Sequence, residues 1–494
     1  MNSVLILGAG PAGLAAARAA RRRGATVTLV DSSEQLGGQF WRHLPAERPA
    51  ARERILHHGW DTFRALQAEL VADDGCRILT SASVFAIDAT ASPSTTGTGP
   101  GRVHVIVGPS DGTGRERIEL LPDAIVLATG AHDRTLPFPG WDLPGVFTGG
   151  AAQALAKGER LAVGANVVVA GAGPFLLPVA ASLAATGSRV LGVFESSRLP
   201  SLVRGWLPRP WQLLPAAKKG AELAGYIGGQ LKNRIPYTTG ASVIAAHGTD
   251  RVESVTVASL DKNWTPVAGT ERTLAVDAVC VSHGFTPRLE LAIAAGCRIT
   301  DERFVAVDDA QATSVPGVYA AGEITGIGGV DLALAEGALA GHAAAGGNPS
   351  DLPGEVRKRR IYEGFARRIE AAHGIRPGWP DMVTDDTIVC RCEEVSFGAL
   401  CRTAESTAST SLRSLKLTTR AGLGICQGRV CGRSLEQLIA RRLPGNTLGD
   451  TVSTDRRPIA VPLRLGELAA AARPTDPALT TPTPLADPSK GPTS

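Results

Sequence analysis

VLILGAGPAGLAAARAARRRGATVTLVD, residues 4–31, is the stretch of the chain that decides its fold. An apolar run at 4–7 leads directly into a glycine-rich turn at 8–13, and a helix rich in small residues follows. A second apolar run then ends in an acidic residue, Asp31. This order of strand, glycine turn, helix, strand and acid is typical of a βαβ unit that binds a dinucleotide.

The predicted dinucleotide site is built mostly from backbone. The first glycine of the turn permits a sharp bend, the second lets the backbone approach a pyrophosphate, and the third lets helix and strand pack closely. The helix N-terminus offers free N–H groups to the phosphates, and the acid can accept a hydrogen bond from a ribose hydroxyl. The residues predicted to contact the dinucleotide here are Gly8, Gly10, Pro11, Ala12, Gly13 and Asp31.

Three later segments indicate that the dinucleotide is FAD. A Gly-Gly pair follows the acid closely, a Thr-Gly pair follows the apolar run 124–127, and GVYAAGE at 317–323 is similar to the second FAD motif of two-dinucleotide flavoproteins. In such proteins the Gly-Gly pair approaches the ribityl chain, and the second motif is a strand that ends beside the ribitol and the pyrophosphate. Glu323 stands where an aspartate is usual, and its longer side chain changes the reach toward the ribitol. The predicted contacts are Gly38, Gln39, Thr129, Gly130, Gly322 and Glu323.

The βαβ pattern repeats in the middle of the chain. Residues 166–170 form an apolar run, GAGPFL follows at 171–176, and a further predicted strand ends in Glu195. Leu176 replaces the third glycine, which would push the helix away from the strand and disturb a phosphate site. This second copy could therefore hold NAD(P)H, another nucleotide or nothing. If NAD(P)H binds, Glu195 would favour NADH by accepting from the ribose 2′-hydroxyl.

Five of the eight cysteines fall between positions 390 and 431. Cys390 and Cys392 form a CxC pair, and Cys426 and Cys431 form a second pair. Zinc sites usually contain CxxC pairs, whereas an extended CxC pair suits a binuclear iron centre with two thiolates on each iron. We therefore predict a [2Fe–2S] cluster on these four cysteines, with another four-cysteine metal centre or four metal-free thiols as the alternatives.

Composition narrows the class of protein. The 494 residues include 51 Lys and Arg against 47 Asp and Glu, well mixed along the chain, so no nucleic-acid partner is expected. The apolar stretch 161–185 is long enough for a membrane span but carries Gly-Ala-Gly-Pro at its middle. The residues after Met1 do not have the basic, apolar and small-residue regions of a signal peptide. This predicts a cytoplasmic protein.

The cysteine block carries a resemblance specific enough to name. CRCEEV at 390–395 together with TRAGLGICQGRVC at 419–431 resembles the [2Fe–2S] domain of the bacterioferritin-associated-ferredoxin type. From about residue 3 to 470 the chain is similar to the flavoprotein subunits of opine oxidases, hydrogen cyanide synthase, and dehydrogenases of proline, hydroxyproline or sarcosine. Further matching stretches lie at 128–149 and 457–470.

This resemblance implies a hetero-oligomer. A separate subunit similar to D-amino-acid oxidases would oxidise the C–N bond of a small amine or amino acid, and the present chain would relay electrons through its cluster and its FAD. A small ferredoxin-like subunit, an FMN at a subunit interface and peripheral membrane association through partners are further options within the family. Two other functions stay open: a self-sufficient NAD(P)H-dependent flavoprotein reductase, and a non-catalytic metal-binding scaffold subunit.

The predicted fold class is α/β, with two intertwined three-layer dinucleotide-binding domains of the glutathione-reductase-like type and a small α-rich iron–sulfur domain. The predicted boundaries are 1–155 with 270–345 for a discontinuous FAD-binding domain, 156–269 for the second nucleotide-binding domain, 346–384 for a linker helix, 385–445 for the [2Fe–2S] domain, and 446–494 for a C-terminal extension with a disordered tail from about residue 472.

Overall fold

The protein is described from a computed structural model that covers residues 2–45, 47–48, 53–88, 100–208, 217–409, 411–442, 457, 459–470 and 473–474. The predicted disordered tail therefore lies outside the described residues, apart from 473–474. The strands are β1 (Ser3–Leu7), β2 (Thr26–Val30), β3 (Cys76–Leu79), β4 (Ala82–Asp88), β5 (Arg102–Val107), β6 (Glu116–Leu120), β7 (Ala124–Leu127), β8 (Ala131–Asp133), β9 (Val146–Thr148), β10 (Asn166–Gly171), β11 (Arg189–Glu195), β12 (Tyr237–Thr239), β13 (Ala241–His247), β14 (Ser254–Ser259), β15 (Arg272–Ala275), β16 (Ala278–Ser282), β17 (Phe285–Pro287), β18 (Val318–Ala320), β19 (Ile388–Cys390), β20 (Val395–Ser396) and β21 (Arg473–Pro474).

The helices are α1 (Pro11–Arg22), α2 (Glu53–Leu56), α3 (Trp60–Val71), α4 (Gly149–Gly158), α5 (Leu176–Ala185), α6 (Leu199–Trp206), α7 (Ala217–Lys232), α8 (Glu290–Ala294), α9 (Val330–Ala344), α10 (Pro353–His373), α11 (Phe397–Thr407), α12 (Leu412–Thr419), α13 (Gly432–Arg442) and α14 (Leu465–Ala469). Two short 3-10 helices lie at Pro349–Asp351 and Trp379–Met382. In the described part of the chain, no helix is both long enough and apolar enough to cross a bilayer.

The first five-stranded sheet has the order β18-β7-β1-β2-β3, and every neighbouring pair is parallel. Its central strands are apolar on both faces because helices cover one face and further β-structure covers the other. The α1 and α9 helices cross with almost no space between them. A Cβ atom on Gly337 would lie 2.1 Å from the Ala12 carbonyl oxygen, and one on Gly341 would lie 2.0 Å from that of Ala16. The small residues of α1 therefore serve helix packing.

The second five-stranded sheet, β12-β11-β10-β16-β9, is also parallel throughout. The strand β9 enters it from the segment that follows β7 and β8, so the chain passes from the first sheet into the second and returns later through β17 and β18. The antiparallel sheet β13-β14-β15 and the four-stranded sheet β21-β6-β5-β4 flank the two parallel sheets. This architecture confirms the predicted α/β class with several sheets.

The segment after α10 forms a compact unit of α11, α12, α13 and the β19-β20 pair. Its core is continuous with the second nucleotide-binding fold, because Leu136, Leu260 and Trp264 pack in the same buried cluster as Phe397 and Leu435. Hydrogen bonds reinforce this contact: the Trp141 Nε1 donates to the Ile388 carbonyl oxygen, and the Arg134 guanidinium donates to Gln437 at 2.9 Å. The unit is therefore integrated with the rest of the molecule.

Candidate functional site

A cleft of about 2060 Å³ runs between the two nucleotide-binding folds. Eleven of the twelve residues predicted to contact FAD line this cleft, although they come from widely separated segments of the chain. The twelfth, Gly13, lies behind the turn and packs against it. The residues that line the cleft are Gly8, Gly10, Pro11, Ala12, Asp31, Gly38, Gln39, Thr129, Gly130, Gly322 and Glu323.

The glycine turn leaves no space for side chains. A Cβ atom on Gly13 would lie 1.7 Å from the Gly8 carbonyl oxygen, and one on Gly8 would lie 2.3 Å from that of Ala128. Gly38 has a φ of +59°, and a Cβ atom there would lie 2.8 Å from the Gly10 Cα. Two bare backbone segments thus face each other across the start of α1. This is the kind of cradle in which a pyrophosphate and a ribityl chain can approach backbone N–H groups.

The acidic residues of the cleft are already tied to the backbone. Asp31 accepts hydrogen bonds from the Ala9 N–H at 2.6 Å and the Ser33 N–H at 2.7 Å, which fixes its carboxylate beside the turn. Glu323 accepts from the Gly329 N–H at 2.8 Å, and burial raises its pKa to about 7. The protonated form of Glu323 can donate a hydrogen bond to a ribitol hydroxyl or a phosphate oxygen.

Glu336 is a supporting residue that sequence reasoning missed. One of its carboxyl oxygens accepts from the Gly322 N–H at 2.8 Å and from the Thr325 hydroxyl at 2.7 Å, so it fixes the turn that precedes Glu323. Burial raises the pKa of Glu336 to about 8. A glutamate in the middle of the α9 sequence looks like a surface residue, and only the packing of α9 on α1 shows that it is 4% exposed.

The α4 helix forms the wall of the cleft beyond these contacts. Its N-terminal end is held by Asp133, which accepts from the Gly150 N–H at 3.1 Å and from the Thr148 hydroxyl at 2.6 Å. Two polar side chains one turn apart, Gln153 and Lys157, line the cleft although each is only 7% exposed. The sequence analysis also missed this pair, because two polar residues one turn apart on α4 give the same pattern whether they face solvent or a cleft.

The second copy of the βαβ unit differs from the first at its helix start. The α1 helix begins at Pro11, whereas α5 begins only at Leu176, two positions after Pro174, which is the equivalent proline. The Leu176 N–H bonds to the Gly173 carbonyl oxygen at 3.2 Å in a tighter, 3-10-like turn, and the Leu176 side chain is fully buried. The leucine therefore moves the helix N-terminus away from the place where a phosphate would bind.

The acid of this second copy is also occupied. Glu195 has no exposed surface and accepts from the Gly173 N–H at 3.0 Å and from the Tyr237 hydroxyl at 3.3 Å. His373, at the end of α10, lies 3.3 Å from the same carboxylate. Burial acts to raise the pKa of Glu195, but the contact with His373 and the N–H groups of Ser197 and Gly173 outweigh it and hold that pKa below its usual value. Few lone pairs of Glu195 are left for a ribose hydroxyl.

The four cysteines of the two predicted pairs meet in the C-terminal unit. Their thiols form a hydrogen-bonded row in the order Cys390, Cys431, Cys426, Cys392. Hydrogen bonding to the central thiol, Cys431, lowers the pKa of Cys390 to about 6 and that of Cys426 to about 4. The same two contacts, together with burial, raise the pKa of Cys431, and burial raises that of Cys392.

Glycines surround this row of cysteines closely. The Gly422 N–H donates to the Cys390 sulfur at 3.3 Å, and a Cβ atom on Gly424 would lie 2.3 Å from the Cys392 Cβ. Within the described residues, no group of three or more His, Cys, Asp or Glu side chains is arranged to hold a metal ion. A binuclear iron–sulfur centre takes two cysteine sulfurs on each iron in addition to its bridging sulfides, so it would need all four cysteines of the row.

The cysteine row is attached to the cleft by a short chain of contacts. His132, which lines the cleft two residues after Gly130, donates from Nε2 to the Arg429 carbonyl oxygen at 2.8 Å. Burial lowers the pKa of His132, so its ring is neutral at neutral pH and its Nε2 can carry the proton of this bond. Arg429 lies between Cys426 and Cys431, and its guanidinium pairs with Glu290 at 2.7 Å.

Comparison with known proteins agrees with this architecture. The model of the pyridine nucleotide-disulphide oxidoreductase family matches residues 2–341, which include both nucleotide-binding folds and the whole glycine cradle. The chain belongs to this family. It is therefore an FAD-dependent oxidoreductase, as predicted, although the cleft-lining segments contain no CxxC dithiol of the kind that a disulfide-reductase mechanism requires.

Two curated relatives extend over nearly the full chain. Hydrogen cyanide synthase subunit HcnB of Pseudomonas aeruginosa is 30% identical over 458 residues, which cover 86% of this chain and 90% of that protein. An opine oxidase subunit of Agrobacterium tumefaciens is 31% identical over 484 residues, which cover 94% of this chain and 91% of that protein. The predicted relationship to opine oxidase and hydrogen cyanide synthase subunits is thus confirmed.

A solved structure shares the fold over almost the same extent. The crystal structure of L-proline dehydrogenase from P. horikoshii superposes with a TM-score of 0.62 at 21% identity, covering 95% of this chain and 79% of that one. At this identity the superposition supports the arrangement of the sheets.

Proposed function

We propose that this chain is the FAD- and [2Fe–2S]-containing electron-transfer subunit of a heteromeric dehydrogenase or oxidase that acts on the C–N bond of amino acids or secondary amines. The observation that carries the proposal is the 2.8 Å hydrogen bond from His132 to the Arg429 carbonyl oxygen. It connects the wall of the FAD cleft to the loop between Cys426 and Cys431, so the two predicted redox sites are adjacent in the fold.

The residues of the cleft fit FAD by their backbone chemistry. Gly8, Gly10 and Gly38 leave room for a pyrophosphate and a ribityl chain, and the start of α1 directs N–H groups toward them. Asp31 would accept from the adenosine ribose. When bound, FAD supplies an exchange of two electrons in one or two steps, which allows it to work beside a one-electron carrier.

The cysteine row fits an iron–sulfur cluster by its donor set. Thiolates are the ligands that such clusters use, and the four cysteines of the row would supply the four that a binuclear centre takes. The Gly422 N–H donates to the Cys390 sulfur, the type of contact that tunes cluster potentials. In this proposal the cluster accepts one electron at a time from the amine-oxidising partner or delivers one to the acceptor.

The outer end of the row offers a contact for a partner protein. Cys392 is exposed, and Ile425, next to Cys426, has 84% of its surface exposed. An exposed cluster edge beside an apolar side chain suits short-lived docking of an electron donor or acceptor. The two curated relatives are named as subunits, which supports a hetero-oligomer. We propose that the partner is a D-amino-acid-oxidase-like subunit, with a ferredoxin-like subunit or an interfacial FMN among the additional components.

The second nucleotide-binding fold would not supply hydride. The displaced start of α5 and the existing hydrogen bonds of Glu195 both oppose NAD(P)H binding. In this respect the proposed subunit differs from a self-sufficient reductase, which would require a working NAD(P)H site in the same chain. Electrons would instead enter from the amine-oxidising partner.

The test is anaerobic purification of the full chain, followed by absorption spectroscopy and analysis of flavin, iron and sulfide before and after NADH is added. We expect about one FAD and two irons per chain and no bleaching of the flavin by NADH. The Cys426→Ser variant should lose the iron and keep the FAD. Cys401→Ser, which changes a cysteine outside the row, is the matched control and should keep both.

The other possible results would contradict the proposed function or the proposed cluster ligands. Fast bleaching by NADH would make the chain a free-standing NADH-dependent reductase. A colourless chain that contains zinc and lacks iron would make it a metal-binding scaffold subunit. Retention of two irons in Cys426→Ser would show that the cluster, if present, is held by other ligands.

A further inference from the structure

The ring end of the FAD cleft contains two buried hydrogen-bond donors that the proposed relay does not use. Gln153 and Lys157 are both 7% exposed and both line the cleft from α4. Among the described residues, the Gln153 Nε2 has no hydrogen-bond partner. Leaving such a donor buried and unsatisfied is unfavourable, so a buried amide without an acceptor in the wall of a cleft indicates that an acceptor binds there.

Lys157 is a buried cation without an anion. Within the described residues it forms no ion pair, and its ammonium lies 3.5 Å from the Phe40 carbonyl oxygen and 5.6 Å from the centre of the Phe40 ring. Burial lowers the pKa of Lys157 to about 8. A lysine is almost never buried unless it is paired, and this one lacks a carboxylate.

The placement of α4 shows which part of a bound FAD these donors would face. At the start of the helix, a backbone N–H donates to Asp133, which follows Gly130 by three residues. At its end, the Lys157 ammonium contacts the carbonyl oxygen of Phe40, which follows Gly38 by two residues. Gly38 belongs to a segment expected beside the ribityl chain. When FAD is bound, the cleft face of α4 would therefore lie near the ribityl chain and the ring of the flavin.

We propose that Gln153 and Lys157 form a binding site for an anionic or strongly polarised oxygen at the ring end of the cleft. Two sources can supply that oxygen: the pyrimidine edge of the flavin, which gains negative charge on reduction, and the carboxylate of a small molecule held against the ring. Both accept from an amide N–H and an ammonium at the same place. The proposal relies on FAD binding, which the family implies, and is independent of the iron–sulfur cluster and the partner subunit.

The test compares Lys157→Met and Gln153→Leu with Lys262→Met, which changes an exposed lysine outside the cleft. The midpoint potential of the bound FAD is measured by equilibration with reference dyes, and binding of benzoate, the carboxylate probe, by perturbation of the flavin spectrum. Lys157→Met should shift the FAD redox equilibrium about tenfold toward the oxidised form, roughly 30 mV for two electrons, or weaken benzoate binding at least tenfold. Gln153→Leu should act in the same direction and less strongly.

The two arms of the test identify the source of the oxygen. A shift in potential without a change in benzoate binding assigns the site to the flavin edge, and the reverse assigns it to a carboxylate ligand. If neither changes in Lys157→Met and in Gln153→Leu, the inference is wrong while FAD binding stands. Failure of the unmodified chain to bind FAD would remove the inference together with the FAD part of the proposed function. Thermal unfolding of each variant separates these effects from loss of the fold.

Discussion

Replacing Gly424 with alanine should prevent binding of the proposed iron–sulfur cluster and leave the flavin in place. The new Cβ atom would lie 2.3 Å from the Cys392 Cβ, about 1.1 Å inside the 3.4 Å at which ordinary contact begins. The backbone of Gly424 does not have a positive φ, so the effect of alanine comes from the steric clash of its Cβ atom and not from backbone strain. Because metal–sulfur distances tolerate only about 0.2 Å of error, a displacement of Cys392 on the scale of an ångström would prevent the proposed bond from its sulfur to iron.

The assay is the number of irons and acid-labile sulfides per chain, together with the flavin content, in Gly424→Ala and in Gly354→Ala. The control changes a glycine near the start of α10, where a Cβ atom meets nothing within 4 Å. We expect the iron of Gly424→Ala to fall well below one per chain, with a loss of stability of about 1–3 kcal/mol from overpacking. If Gly424→Ala keeps two irons and an unchanged spectrum, Cys392 is not a ligand.

Three further predictions concern the nucleotide-binding folds. Gly38→Ala should lower FAD retention, because its Cβ atom would lie 2.8 Å from the Gly10 Cα at a φ of +59°; the flavin-to-protein ratio after gel filtration measures this. Gly341→Ala should destabilise the fold by about 2 kcal/mol or more, because its Cβ atom would lie 2.0 Å from the Ala16 carbonyl oxygen; the midpoint of urea unfolding measures this. The pKa of Glu336 is raised to about 8 in the fold, from 4.5 in the unfolded chain. Between these two pH values the folded chain keeps the proton of Glu336 and the unfolded chain has lost it, so the free energy of unfolding falls as pH rises. Glu336→Gln should remove that fall, on the order of 3 kcal/mol between about pH 5 and 8, in urea unfolding at the two pH values.

Each of these predictions has a result that contradicts it. Full flavin content in Gly38→Ala would mean that FAD does not approach this turn. An unchanged urea midpoint in Gly341→Ala would mean that α1 and α9 are farther apart than described. Parallel pH profiles for the unmodified chain and Glu336→Gln would mean that Glu336 ionises normally in the fold.

The parts that follow from sequence are those determined by local geometry. The glycine turn at 8–13 and Asp31 were recognisable because φ freedom and close backbone approach require glycine at fixed spacing, and β1, α1 and β2 lie where that pattern places them. The absence of glycine at 176 likewise predicted a disturbed helix start. The spacing of the cysteines indicated two pairs, but in the fold Cys390 contacts Cys431 and Cys392 contacts Cys426, so the partners come from different segments and the spacing does not predict them.

The parts that sequence could not supply depend on burial and on distant partners. Tyr237 and His373 contact the Glu195 carboxylate from segments at least 42 residues away in the chain. No periodicity in the sequence indicates these contacts. Gln153, Lys157 and Glu336 are functional candidates only because tertiary packing removes them from water. A polar residue on a helix gives the same sequence signal whether its face meets solvent or a cleft.

The contact between Trp141 and the Ile388 carbonyl oxygen has a consequence for synthesis of the chain. The two residues are 247 positions apart, and Leu136 packs in the same core as Phe397 and Leu435. At about 5–20 residues per second, the ribosome needs roughly 12–50 seconds to add the missing residues. During that interval the nascent second fold exposes the apolar surface that the C-terminal unit covers in the folded chain. Truncation before residue 385 would make that exposure permanent, and such a fragment should be a chaperone client and an aggregating species when expressed alone.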